Sequence, residues 1–117
     1  VMILSDRLWR KIQPATAPFE GVDRKEVEIG LLKGDYQLFE SGDSVAITSA
    51  FENVLRIGLA GGALDELVDV EKQIQRYAIK EGFTMIEIIG RPGWEKALEG
   101  YDKIAVILRK EVGYGLH

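Results

Sequence analysis

The stretch from Phe83 to Val112 constrains the fold more than any other part of the chain. Met85, Ile86, Ile88 and Ile89 form an apolar run that only Glu87 interrupts, too dense for a half-exposed strand. Gly90 ends the run, and Pro92 suits the first turn of a helix, where a missing N–H costs nothing. Trp94, Ala97 and Leu98 recur at i, i+3 and i+4 and share one helical face, which Gly100 closes as a C-cap. Ile104, Val106 and Leu108 alternate with Ala105, Ile107 and Arg109 in a final strand. A longer helix, Ala63 to Lys80, precedes this unit and follows a strand at Val54 to Leu59. A strand–helix–strand crossover within one sheet makes a parallel pair. Val54–Leu59 is therefore expected beside Phe83–Ile89, with Leu67, Val70, Ile74 and Ala78 buried against the sheet.

The first half reads differently. Ser5-Asp6 can cap a helix running to about Lys11, with Leu4, Leu8, Trp9 and Ile12 on one side. Pro14 and Pro18 end it. Asp23 can cap a second helix, Arg24 to Lys33, with Val27, Leu31 and Leu32 facing inward. Gly34-Asp35 breaks that helix. Tyr36–Glu40 and Ser44–Phe51 read as a hairpin around Ser41-Gly42-Asp43, and Glu52-Asn53 is a second turn. The expected class is α/β (α+β): a mixed sheet in one domain, 1–117, with element order ααβββαβαβ and helices on both faces.

At 117 residues the chain can bury a core of its own. Its apolar fraction of 46% and charged fraction of 29% are those of a globular protein. A net charge of −4 and no extended basic cluster argue against a nucleic-acid surface. With no cysteine, disulfides and thiolate metal sites are excluded. No apolar run has the length of a membrane span, and with charges at Asp6, Arg7, Arg10 and Lys11 no signal peptide is expected. The expected location is the cytoplasm.

The element order resembles the GNAT superfamily of N-acetyltransferases. More closely, the chain is similar to short GNAT-like proteins of tailed bacteriophages and prophages. The residues that carry this are Gly34-Asp35-Tyr36-Gln37-Leu38, Gly61-Gly62, Ile89-Gly90-Arg91-Pro92-Gly93-Trp94 and Val106-Ile107-Leu108-Arg109-Lys110-Glu111. The resemblance implies a sheet splayed between Val54–Leu59 and Phe83–Ile89, into which acetyl-CoA wedges, with its pyrophosphate at the N-terminus of the long helix. Cofactor contacts would then come from Leu59, Ala60, Gly61, Gly62, Ala63 and Arg91. The loop departs from the family pattern, which is longer, richer in glycine and often basic. Here Gly61-Gly62 is followed by Asp65, Glu66 and Asp69, which suit the helix dipole and repel a pyrophosphate.

The resemblance also suggests catalytic groups, each with a plainer role beside it. Glu52 is a general base near the splay, or a solvated turn carboxylate. Tyr101 is a general acid, or a ring packed at a helix end with its hydroxyl in solvent. Glu87 points into the cleft or onto the open side of the sheet. Arg91 holds a phosphate or pairs with Glu95, and Trp94 is a core anchor or a stacking platform. His117 is the single, terminal histidine, and no metal-ligand spacing exists. Two classes of function follow. One is a phage or prophage accessory protein with a degenerate acetyl-CoA site and a binding or virion-associated role. The other is an acetyl-CoA-dependent transferase acting on an amine of a small molecule or protein. A protein partner or a homodimer fits either, and neither needs nucleic acid or a membrane.

Overall fold

A computed structural model describes residues 4–16, 22–89 and 98–102. The chain opens on helix α1, Asp6–Ile12, whose cap is Ser5: the Leu8 N–H donates to its Oγ at 3.2 Å. A 3₁₀ turn, Gln13–Thr16, follows where Pro14 removes a helical donor. Helix α2 spans Arg24–Lys33; Asp23 accepts from Glu26 N–H at 2.9 Å, and Gly34 closes the helix at φ 83°. Arg24 ties the two helices together, donating to Asp6, to Glu28 at 3.0 Å and to the Leu4 carbonyl at 2.7 Å. Its guanidinium holds the Asp6 carboxyl below the usual carboxylate range.

Among the described residues four strands follow: β1 Tyr36–Ser41, β2 Ser44–Phe51, β3 Val54–Gly61 and, after helix α3 (Leu64–Glu81), β4 Met85–Ile88. They form a mixed sheet in the order β1-β2-β3-β4. The first two pairings are antiparallel, and β3–β4 is parallel, as the crossover through α3 requires. Ser41 faces Ser44 across a two-residue turn led by Gly42 at φ 59°, the conformation a type II′ hairpin needs at that position. The β2–β3 register passes from Ile47↔Leu59 to Thr48↔Ile57, so Gly58 is the extra residue of a bulge.

The core divides in two. Val45, Ile47 and Leu59 pack with Leu4, Leu8, Ile12 and Val27 of the N-terminal helices. Ala46, Leu55 and Ile57 pack with Val70, Ile74 and Ala78 of α3. The bulge explains why Leu59 leaves the company of Leu55 and Ile57, since one extra residue reverses the alternation. Leu67, Val70, Ile74 and Ala78 are all buried, as expected.

Two expectations need correction. Leu32 is 65% exposed, because the inward stripe of α2 runs through Val27, Gly30 and Leu31 and the next residue turns about 100° away. Met85 is 57% exposed and the rest of β4 is half-buried, so the dense apolar run is not a fully buried strand. The helix expected after Pro92, the closing strand and Trp94 lie outside the described residues. Leu98 is buried, and Gly100 has φ 84°, the left-handed conformation of a helix-ending glycine.

Thr48 faces the α3 core beside Ile57, fully buried, and its Oγ1 has no partner among the described residues. An unmade buried hydrogen bond costs free energy that a methyl group would not. Thr48→Val is expected to stabilise the protein by about 1 kcal/mol, read as a higher urea midpoint at unchanged slope.

Candidate functional site

The N-terminus of α3 is where the resemblance places a pyrophosphate. Its N-cap, Ala63, offers no side-chain bond. Ser44 supplies one instead: its fully buried Oγ accepts the Ala63 N–H at 2.9 Å and donates to Glu66 Oε1 at 2.7 Å. Glu66 belongs to the first turn, so its carboxylate lies where the helix dipole attracts an anion. Three glycines make room for this arrangement. A Cβ at Gly42 would overlap the Glu66 carboxylate, and one at Gly62 (φ 131°) would overlap the Ser44 side chain. A Cβ at Gly61 would overlap the Lys11 carbonyl oxygen at the end of α1. Both glycines of the pair therefore have packing reasons to be glycine.

A cavity of about 180 Å³ lies between α2 and the sheet at the bulge. Val22, Val27, Tyr36, Ile47, Leu59 and Ile89 give it apolar walls, while Glu26, Ser49 and Arg56 bring polar groups. Among the described residues, β3–β4 pairing runs to Ile57↔Ile88 and the Ile89 N–H to Ile57 carbonyl bond, while β3 itself continues to Gly61.

The three candidate catalytic residues occupy separate places. Glu52 is exposed at the first position of the β2–β3 turn, with φ 53°, a conformation that costs a non-glycine residue about 1–2 kcal/mol. It precedes β3, and the eight residues of that strand put it about 25 Å from the α3 N-terminus. Glu87 pairs with Arg56 across β3–β4, its Oε1 accepting from Nη2 at 3.0 Å and Nε at 3.2 Å. Both alternate with residues of the α3 core, so they leave the sheet on the side away from α3. Tyr101 belongs to α3 instead, and its hydroxyl is not in solvent as expected: it donates to the buried Glu71 at Oε2, 2.8 Å away, and Gln75 donates to the same oxygen at 2.7 Å. Burial, and then the hydrogen bond to Glu71, raise the Tyr101 hydroxyl well above the ordinary tyrosine range. Such a phenol is a poor proton donor near neutral pH. Of the cofactor residues, Leu59 is buried in the N-terminal core, Ala60, Gly61 and Gly62 lead into the Ser44-capped turn, and Arg91 lies outside the described residues.

Sequence reasoning missed Ser44, Glu71 and Gly58. Ser44 carries no local signal, because its partners are 19 and 22 residues away. Glu71 does carry one. It stands four residues after Leu67 and three before Ile74, on the apolar face of α3. Gly58 does too, since a glycine inside a strand pattern marks a bulge or a close approach. Among the described residues no group of three or more acidic or histidine side chains could hold a metal, and no helix is long and apolar enough to cross a membrane. Comparison with family models, with curated proteins and with solved structures gives no match.

Proposed function

We propose that this chain is a GNAT-like fold, with helices on both faces of its sheet, whose acetyl-CoA site is closed and which works as a binding scaffold in a phage or prophage setting. The single observation that carries the reading is the Ser44–Glu66 arrangement at the α3 N-terminus. The dipole there offers an exposed anion about 1 kcal/mol. A carboxylate at about 4 Å returns roughly 4 kcal/mol of repulsion per unit charge at a surface-like dielectric. The Ala63 N–H, which a pyrophosphate would need, is already bonded to Ser44. Support for the fold comes from the parallel β3–β4 pair, the crossover helix and the division of the core by strand alternation. Support for the setting is the sequence resemblance.

A second reading, an active N-acetyltransferase, draws on the bulge at Gly58, which lies beside the cavity. In that reading an amine attacks the thioester directly, and Glu87 takes up a proton through water. Calorimetry with acetyl-CoA at moderate salt separates the two. The unmodified protein is expected to give no binding heat, and Asp65→Asn with Glu66→Gln is expected to create measurable affinity. Micromolar binding by the unmodified protein would restore the enzyme reading.

A further inference from the structure

We propose that the cavity at the β2–β3 bulge binds a small uncharged carbonyl compound, such as a primary amide with a short apolar chain, without any coenzyme. The space is created by Gly58. Among the described residues it has no register partner on β2, where the bulge skips it, or on β4, where pairing runs to Ile57. A Cβ built on it meets no atom within 4 Å, so any larger residue would simply fill the hollow. The volume of about 180 Å³ suits a ligand of about six heavy atoms, since an apolar cavity of roughly 150 Å³ takes benzene. Val27, Ile47, Leu59 and Ile89 suit an alkyl chain there.

Polar recognition comes from one row of the sheet. Ser49 and Arg56 are register partners, and both line the cavity. Arg56 gives Nε and Nη2 to Glu87, so Nη1 keeps its N–H groups for another acceptor. The Ser49 hydroxyl likewise has no bond among the described residues. The charges rule against an anion, and the spare donors suit no cation. The Arg56 charge is already balanced by Glu87, and Glu26 adds a further carboxylate to the lining. A carboxylate ligand meets Glu26 and Glu87; an ammonium ligand is drawn to those carboxylates but has no lone pair for the spare donors of Arg56 and Ser49, and it gives up its hydration in an apolar hollow. An uncharged carbonyl takes the spare donors and avoids both costs.

This site uses none of the atoms at the α3 N-terminus, so its test is read at different residues from the closed anion site. The experiment is amide-resolved NMR on the full chain with butyramide, butyrate and butylammonium, which share chain length and differ in charge. Butyramide is expected to give saturable shifts at Val27, Ser49, Gly58 and Leu59 with a dissociation constant of about 1 mM, within reach of a six-atom ligand. The two ions are expected to bind at least about tenfold more weakly. Gly58→Val should fill the hollow and abolish the shifts. Ser49→Ala, at the cavity edge, should lower affinity about three- to tenfold with the spectrum otherwise preserved. Absence of saturable shifts, shifts mapping elsewhere, tighter binding of either ion, or undiminished binding by a folded Gly58→Val protein would each overturn the proposal.

Discussion

Replacing Gly61 by alanine is expected to destabilise the protein by roughly 3 kcal/mol, at the upper end of what a single added methyl costs in a packed core. The added carbon would overlap the backbone carbonyl oxygen of Lys11, not the tip of a flexible side chain. Relief therefore requires α1 to move off β3, and that disturbs Leu8 and Ile12, both buried with Leu59 in the same core. Gly58→Ala is the control on the same strand. Its Cβ meets nothing within 4 Å, so the change is expected to stay within about 1 kcal/mol. Urea unfolding of the two variants provides the comparison. A Gly61→Ala protein as stable as its parent would mean that the glycine is kept for a ligand and not for the close approach of α1.

The second expectation concerns the buried carboxylate of α3. Glu71 is 5% exposed, and one of its oxygens accepts from both Tyr101 and Gln75. Tyr101→Phe removes one donor and leaves the other in place, at an expected cost of about 1–3 kcal/mol. The hydroxyl also gives stability a pH dependence with a definite sign. Its folded-state pKa is raised above the unfolded value of 10.0, first by burial and then by Glu71. The stabilisation is therefore complete below about pH 10 and is lost as pH rises beyond it, where the unfolded chain ionises first. Thermal melts from pH 8 to pH 11 are expected to fall more steeply for the parent than for Tyr101→Phe. Equal slopes would remove the hydroxyl from any role in holding the segment at 98–102 against α3.

Local signals and distant contacts divide the legible from the illegible along this chain. Caps are local, and both were readable: Ser5 and Asp23 each accept an N–H three residues on. The hairpin at Gly42 and the inward stripe of α3 were readable for the same reason, since turn chemistry and helical period need only a few neighbouring residues. A crossover helix between two strands of one sheet likewise implies a parallel pair, and β3–β4 is one. The bulge at Gly58 went unread although its glycine was visible, because only the β2 register shows which residue is extra.

The candidate site depended on long-range contacts throughout. In the sequence, Gly61-Gly62 before an acidic helix start resembles a phosphate loop with the wrong charge. In three dimensions, Gly61 is pressed by the end of α1, and Gly62 makes way for Ser44, a residue whose hydroxyl completes the helix cap. Arg56 opposite Glu87 and Glu71 beside the Tyr101 hydroxyl are partners that no local pattern names. Period and capping act within a turn or two of chain, so the sequence by itself determined the elements and their inward faces. Which polar groups meet is decided by packing between residues tens of positions apart, and only the tertiary structure could show that.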